Sequence, residues 1–249
     1  MNRDLLIRTV TIDWDKIPED SYLHGIEAIS SLNALGLEQP VTFFTGENGT
    51  GKSTLLEAIA VACGFNPEGG TRNYRFSTYD SHSELSEAIG LIRNARKIRF
   101  GYFLRAESFY NVATREEEYS KGPGGIPMHF HEMSHGESFL KLAQNFFLPG
   151  GLYLLDEPEA ALSPQRQLTL MKEIHDCVRK GAQFLIVTHS PILLAMPDSK
   201  ILSFDDGPVH ACAYEETLSV RLTSLFINNR AGILHQLLDE PEELPDENG

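Results

Sequence analysis

Hydrophobic positions along the chain fall into two alternating rhythms. Short apolar runs bounded by turn residues read as strands: "LLIRTVTI", "PVTFFT", "KIRFGYFL", "GLYLLDE", "AQFLIVTH" and "KILSF". Between them, Lys52–Cys63, Ser134–Phe147 and Pro164–Lys180 repeat their apolar residues at helical spacing. Strands alternating with helices predict an α/β fold with a largely parallel sheet and flanking helices. Residues 64–79 and the stretch "KGPGGIP" read as loops. One domain is expected over residues 1–238. The acidic, proline-bearing "DEPEELPDENG" closing the chain makes 239–249 an expected disordered tail.

Composition narrows this reading. With 249 residues, 41% of them hydrophobic, the chain can bury a sizeable core, and no apolar run approaches the roughly 20 residues a bilayer span needs. The opening "MNRDLLIRTVTIDW" carries early charges and reads as a strand rather than a signal peptide, so a cytoplasmic location is expected. Cys63, Cys177 and Cys212 are widely spaced, with no C-x-x-C pair, and are expected as reduced, mostly buried thiols. A net charge of −14 argues against a broadly basic nucleic-acid surface. The charge is uneven, however. From Asp205 onward ten acids face two arginines, while between Arg72 and Arg105 seven basic residues face three acids. That second run is either a local basic face or a solvated helix face.

The chemistry starts at "FFTGENGTGKSTLLEAIA". Gly46, Gly51, Lys52 and Ser53 complete the pattern G-x-x-x-x-G-K-[ST], with an apolar strand entering and an amphipathic helix leaving. Glycines suit a backbone that wraps phosphate with its N–H groups inward, and the following helix turns its positive end to the anion. Gly46, Glu47, Asn48, Gly49, Thr50, Gly51, Lys52, Ser53 and Thr54 are therefore the expected nucleotide cradle. Lys52 would reach the β- and γ-phosphates and Ser53 would ligate Mg²⁺.

Two further strands end in polar groups. "GLYLLDEPEAALSPQRQ" runs from apolar residues into Asp156, suited to hold Mg²⁺, and Glu157, suited to polarise an attacking water. Ser163-Pro164 reads as the cap and first residue of the next helix. "FLIVTHSP" ends in Thr188-His189-Ser190, which makes His189 a candidate γ-phosphate sensor. "HEMSHGESFL" is harder. Ser134-x-x-Glu137 is a capping box, yet a helix start with Gly136 in its first turn is also a phosphate cradle, and one geometry can serve both.

The order GENGTGKST, MSHGES, LYLLDEPEAALS, THS resembles the ATP-binding cassette (ABC) ATPase superfamily over roughly residues 5 to 205. "DEPEAALSP" with "THSP" is more similar to its SMC-like and recombination-repair branch than to transporters. "FLRAESFYNVA", "SHGESFL" and "DEPEAALSPQRQL" resemble a group of small stand-alone bacterial ATPases. The resemblance implies a helical signature subregion, about residues 64–147, whose Ser134 and Gly136 contact the γ-phosphate held by an opposing subunit. It also implies an adenine-stacking aromatic, Tyr22 in preference to Trp14, and a sensor after a strand. No glutamine stands at the sensor place; Arg105, Glu107 and Ser108 lie there instead. His135 and Met133 replace a glycine and a leucine of the signature pattern. Only about 80 residues separate Thr54 from Ser134, too few for long coiled-coil arms.

His129, His131 and His135 could suggest zinc, but apart from Glu132 no carboxylate or cysteine cluster joins them. The expectation is an ATPase using ATP and Mg²⁺, with Glu157, His189, Lys52 and Ser134 as catalytic groups. It would form a homodimer on ATP binding and act on a separate effector protein in a nucleic-acid-linked repair or defence process. A transporter subunit or a regulatory switch for a protein effector is the alternative.

Overall fold

A computed structural model describes residues 5–72, 83–105 and 135–238. Ten strands lie in these segments: β1 (Ile7–Ile12), β2 (Ala34–Gly36), β3 (Val41–Thr45), β4 (Gly70–Thr71), β5 (Ile89–Arg93), β6 (Gly101–Arg105), β7 (Leu152–Asp156), β8 (Gln183–Val187), β9 (Lys200–Ser203) and β10 (His210–Ala211). The longer helices are α2 (Lys52–Ala62), α4 (His135–Phe146), α5 (Pro164–Arg179), α7 (Leu218–Asn228) and α8 (Arg230–Leu238). Shorter ones are α1 (Glu27–Ser30), α3 (Leu85–Ala88) and α6 (Pro191–Leu194).

Every residue of β3, β7 and β8 is buried, which is why these segments read as unbroken apolar runs. They sit mid-sheet in the order β10-β9-β3-β8-β7-β6-β4. The pairings from β9 across to β6 are parallel, and only the edge strands β10 and β4 run antiparallel. Successive side chains leave a strand on opposite faces. Phe44, Leu152, Leu154, Leu185 and Val187 therefore join the core around Leu55, Leu56 and Ile59 of α2. Phe43, Tyr153, Leu155, Phe184 and Ile186 join the other core, with Phe139 and Leu142 of α4 and Leu170 and Ile174 of α5.

A second sheet, β2-β1-β5, is antiparallel. Sequence reading anticipates β1 but neither of its partners, nor α7 and α8. Buried Gln183 ties the two sheets together: its Oε1 accepts from Ile7 N and its Nε2 donates to Ile7 O, both at 2.9 Å.

Among the described residues the basic run lies at strand ends and in loops rather than on a helix face. Arg72, Arg93 and Arg96 donate to the carbonyls of Ile98, Ala62 and Gly181. The run "KIRFGYFL" enters the sheet only at Gly101. Ser163 does occupy the cap position before Pro164, but its side chain makes no capping hydrogen bond. All three cysteines are free, and burial pushes the Cys63 and Cys177 thiols up to about 11. Glu107, Ser108, His129, His131, Ser134 and the tail 239–249 lie outside the described residues.

Gln183→Leu keeps the volume but strands the Ile7 amide and carbonyl in a dry interior. Urea denaturation should show a loss of about 2–6 kcal/mol, from two unsatisfied buried groups at roughly 1–3 kcal/mol each. A loss below about 0.5 kcal/mol would mean that the two sheets are held by apolar contact alone.

Candidate functional site

The register of the parallel strands brings the candidate groups to one edge. Arg105 is level with Asp156, and Asp156 with Val187. Phe44 is level with Val187 on one side and Leu202 on the other. The residues that follow these positions, the phosphate loop after Thr45, Glu157, Thr188-His189 and Asp205, thus leave the sheet together. This is the C-terminal edge, where such sheets bind ligands.

Three glycines shape the loop for different reasons. Gly46, Gly49 and Gly51 have φ of 143°, 84° and 90°, a region that favours glycine. A Cβ on Gly46 would also meet Asp205 Oδ1 at 2.9 Å, and one on Gly51 would meet Ile29 Cγ1 at 2.6 Å. At Gly49 nothing lies within 4 Å, so there the backbone angle alone selects glycine. Gly51 is the residue before α2, so the helix N-terminus faces the loop.

Lys52 is 4% exposed. Its Nζ donates to Glu47 O at 2.6 Å, folding the ammonium over the loop, and Thr50 Oγ1 donates to the same carbonyl at 2.9 Å. Burial holds its pKa below the ordinary lysine value, opposed by the carboxylates of Asp205, Glu157, Asp156 and Glu47. One residue on, Ser53 Oγ donates to Asp156 Oδ1 at 2.8 Å. A hydroxyl and a carboxylate at that separation are two hard oxygen donors, and beside a glycine cradle for phosphate they fit Mg²⁺.

Glu157 sits at φ 50°, and its Oε1 lies 3.7 Å from His189 Nε2. Glu159 Oε1 accepts the His189 backbone N–H at 2.6 Å, and Ser190 Oγ donates to Gln167 Oε1 at 2.6 Å. The strand-end histidine is therefore held by its main chain beside the acid of the neighbouring strand end. Tyr22 presents an exposed ring and shares a cavity of about 400 Å³ with Ser53, Thr54, Glu57 and Arg105. Trp14, by contrast, donates from Nε1 to Leu32 O at 3.0 Å and packs against His24.

Gly136 lies in the first turn of α4, against the turn Pro158–Ala161 that follows Glu157. A Cβ there would meet Arg166 Nη1 at 2.6 Å and Ala161 O at 3.0 Å. Glu137 pairs with Arg166 at 3.1 Å rather than serving only as half of a capping box. Gly136 thus permits a close helix approach, a reason separate from any phosphate contact.

Sequence reasoning missed three participants. Asp205 follows β9 as Asp156 ends β7, and its Oδ1 accepts the Glu47 N–H at 2.6 Å, anchoring the start of the loop. An acid just past an apolar strand was the available signal. Glu159 is the second acid of "DEPE", visible but assigned no task. Glu57 pairs with Arg105, whose Nε also lies 3.6 Å from Asp156 Oδ2. Helical spacing puts Glu57 one turn beyond Ser53, yet its partner comes from a distant strand. Among the described residues no group of three or more His, Cys, Asp or Glu could hold a metal ion by itself.

Two family models match the chain. One, an "AAA domain", covers residues 22–126, and the other, "AAA domain, putative AbiEii toxin, Type IV TA system", covers 119–195. The hemin import ATP-binding protein HmuV of Pseudomonas aeruginosa is 39% identical over 62 residues, 25% of this chain and 24% of that protein. The match therefore spans about a quarter of that relative's length. The tungstate uptake system ATP-binding protein TupC of Peptoclostridium acidaminophilum is 29% identical over 67% of this chain and 83% of its own. Solved structures of similar shape include the SMC head domain from Thermotoga maritima, 14% identical, covering 84% of this chain and 98% of that one at a TM-score of 0.46. Another is cbiO1 from Clostridium perfringens, part of the ABC transporter complex cbiONQ, 16% identical, covering 83% and 91% at a TM-score of 0.46. With a complete phosphate-loop motif set on a parallel sheet, and two AAA-domain family models matching between residues 22 and 195, the chain is similar to the AAA/ABC-type P-loop ATPases and carries an ATP-binding domain of that kind.

Proposed function

We propose that residues 1–238 act as one ATPase domain that binds Mg·ATP at this edge and hydrolyses it between two chains paired head to tail. The observation that carries the reading is the shared strand-end register. It sets the loop, the Ser53–Asp156 pair and the Glu157–His189 pair at one sheet edge, which supports their acting on one triphosphate.

In this reading the N–H groups of residues 46–54 and the N-terminus of α2 receive the phosphates, and Tyr22 stacks on the adenine. Lys52 exchanges its bond to Glu47 O for the β- and γ-phosphates. Ser53 and Asp156 would hold Mg²⁺, which would neutralise negative charge on the phosphates. Glu157 orients the attacking water and takes its proton, while His189 donates to the γ-phosphate. From the facing chain, Ser134 and the start of α4 at Gly136 close the far side of the γ-phosphate. The same chemistry makes ATP the glue between two chains and hydrolysis the release.

The downstream process we propose is a nucleic-acid-linked repair or defence step acting through a separate effector protein. The AbiEii toxin description of one matching family supports this direction. Direct nucleic-acid contact by Arg93 and Arg96 has less support, since both guanidiniums serve carbonyls. A nucleotide-binding subunit for a separate membrane permease is the second reading, favoured by the import and uptake names of the two curated relatives. Among the described residues no helix is long and apolar enough to cross a membrane. A pull-down with a Glu157→Gln variant held on ATP separates the two: a permease supports uptake, whereas a nuclease or toxin supports defence.

Lys52→Ala should reduce Mg·ATP affinity by at least about tenfold in calorimetry, the worth of one charge-assisted hydrogen bond. Unchanged affinity would contradict the site. The same lysine sets a pH signature. Its folded pKa lies below the unfolded value of 10.5, so between the two the unfolded chain binds more protons and stability rises with pH. Measured against Lys52→Met, the wild-type chain should gain stability as pH climbs toward 10.5. A flat difference would mean that the ammonium is solvated.

Glu157→Gln should bind ATP while hydrolysing it about 10²–10⁴-fold more slowly, and cross-linking should show a contact between its chains that needs Mg·ATP. Because any Cβ at Gly136 collides with Ala161 O, the signature side is better probed with Ser134→Glu. Lys52→Ala and Ser134→Glu homodimers should both be inactive. In a mixed dimer both defects fall in one composite site, so an equal mixture should recover up to about a quarter of wild-type activity. Normal activity of Ser134→Glu alone, with an unchanged melting point, would make the stretch a helix cap only.

A further inference from the structure

The C-terminal helices α7 and α8 are joined by the single residue Asn229 and are poorly covered by the other described residues. Val220 is the one buried residue of α7, and α8 has none. By contrast α5 buries Leu170, Ile174 and Cys177. Leu222, Leu225 and Phe226 are 55%, 55% and 42% exposed, and Ile227, Leu237 and Leu238 are 72%, 71% and 73% exposed. In a chain of net charge −14, residues 218–238 contain two arginines and no acid. That is the composition of an interface rather than of a solvated surface.

The pattern is ordered. Leu218, Leu222 and Leu225 are spaced four and three apart, the interval that keeps one seam facing a partner helix. Helices of 11 and 9 residues are too short to hold themselves in water, so such a seam needs cover. The six exposed side chains present on the order of 700 Å² per protomer, taking roughly 200 Å² for a whole large side chain. This approaches the roughly 800 Å² that each partner contributes to a standard stable interface.

We propose that this arm is a constitutive two-fold dimer interface, occupied by the same arm of a second copy of this chain. Two arms of two helices each form a four-helix pack in which each apolar seam closes the other, the arginines remaining at the rim. The root of the arm lies near the nucleotide. Leu218 and Arg221 line a cavity of about 780 Å³ together with Glu47, Gly49 and Thr50 of the phosphate loop. Pairing through the arms therefore keeps two phosphate loops in one assembly whether or not nucleotide is present. A contact made on ATP binding then becomes intramolecular and is favoured by effective concentration. The arm dimer itself is independent of the proposed ATP sandwich.

Sedimentation velocity on the full chain, in EDTA and without nucleotide, tests it. Wild type should sediment as a dimer of the 27.8 kDa chain at low micromolar concentration. Leu222→Glu/Leu225→Glu should raise the dimer dissociation constant by at least about 100-fold, as loss of a central apolar anchor does. Its far-ultraviolet dichroism should match wild type, which shows that the fold is intact. Leu237→Glu/Leu238→Glu gives the same readout should the first pair fail to fold. Lys52→Ala should dimerise as wild type does, which separates this contact from any nucleotide-dependent one. A wild-type monomer at every concentration would overturn the proposal, whether the face is then covered by residues 106–134 or by another protein. A dimer that survives both pairs of glutamates, or that disappears in Lys52→Ala, would overturn it equally.

Discussion

Between the last residue of β3 and the first of α2 the backbone must turn back on itself within six residues while keeping its N–H groups free for an anion. That constraint places Gly46, Gly49 and Gly51 at φ values between 84° and 143°. It also dictates what surrounds them. Ile29 packs where a Gly51 side chain would stand, and Asp205 closes on the Glu47 amide where a Gly46 side chain would stand. The loop is thus held by its neighbours as well as by Thr50 and Lys52, which both donate to Glu47 O. With Lys52 folded over it, the loop occupies that ammonium with its own Glu47 carbonyl.

The parallel sheet makes that loop useful. Because β3, β7, β8 and β9 pair in register and in one direction, their polar ends emerge at one level. Each strand contributes a different group: ammonium and hydroxyl after β3, two carboxylates at β7, imidazole after β8 and the anchoring Asp205 after β9. A one-residue slip of β7 would exchange Asp156 for Glu157 opposite Ser53 and turn Leu155 to the wrong face. The buried alternation of Tyr153 and Leu155 against Leu152 and Leu154 is therefore part of the active geometry.

Much of this was legible in the chain, and the gaps have physical causes. The central strands announce themselves because burial on both faces makes them continuous apolar runs, and α2, α4 and α5 end within a residue or so of their expected limits. The small sheet was missed because β2 has only three residues and β5 alternates weakly before running into Arg93, Arg96 and Lys97. The arginine run looked like a charged face because sequence does not reveal which guanidiniums are already committed to carbonyls. At the site, motif spacing finds Lys52, Ser53, Asp156, Glu157 and His189. It does not find Arg105 bridging Glu57 and Asp156, a contact across three elements that no local pattern encodes. The apolar arm was hidden for the opposite reason. Its residues look like core, and only the fold shows that, Val220 apart, they lie uncovered among the described residues.

The most direct measurement is single-turnover hydrolysis of Mg·ATP by the purified chain in ¹⁸O-labelled water, with the products weighed by mass spectrometry. Attack on the γ-phosphorus by a water held at Glu157 predicts ADP free of label and inorganic phosphate carrying one solvent oxygen per cleavage. Absence of turnover in a chain that binds ATP, or label in ADP or AMP, would contradict the account.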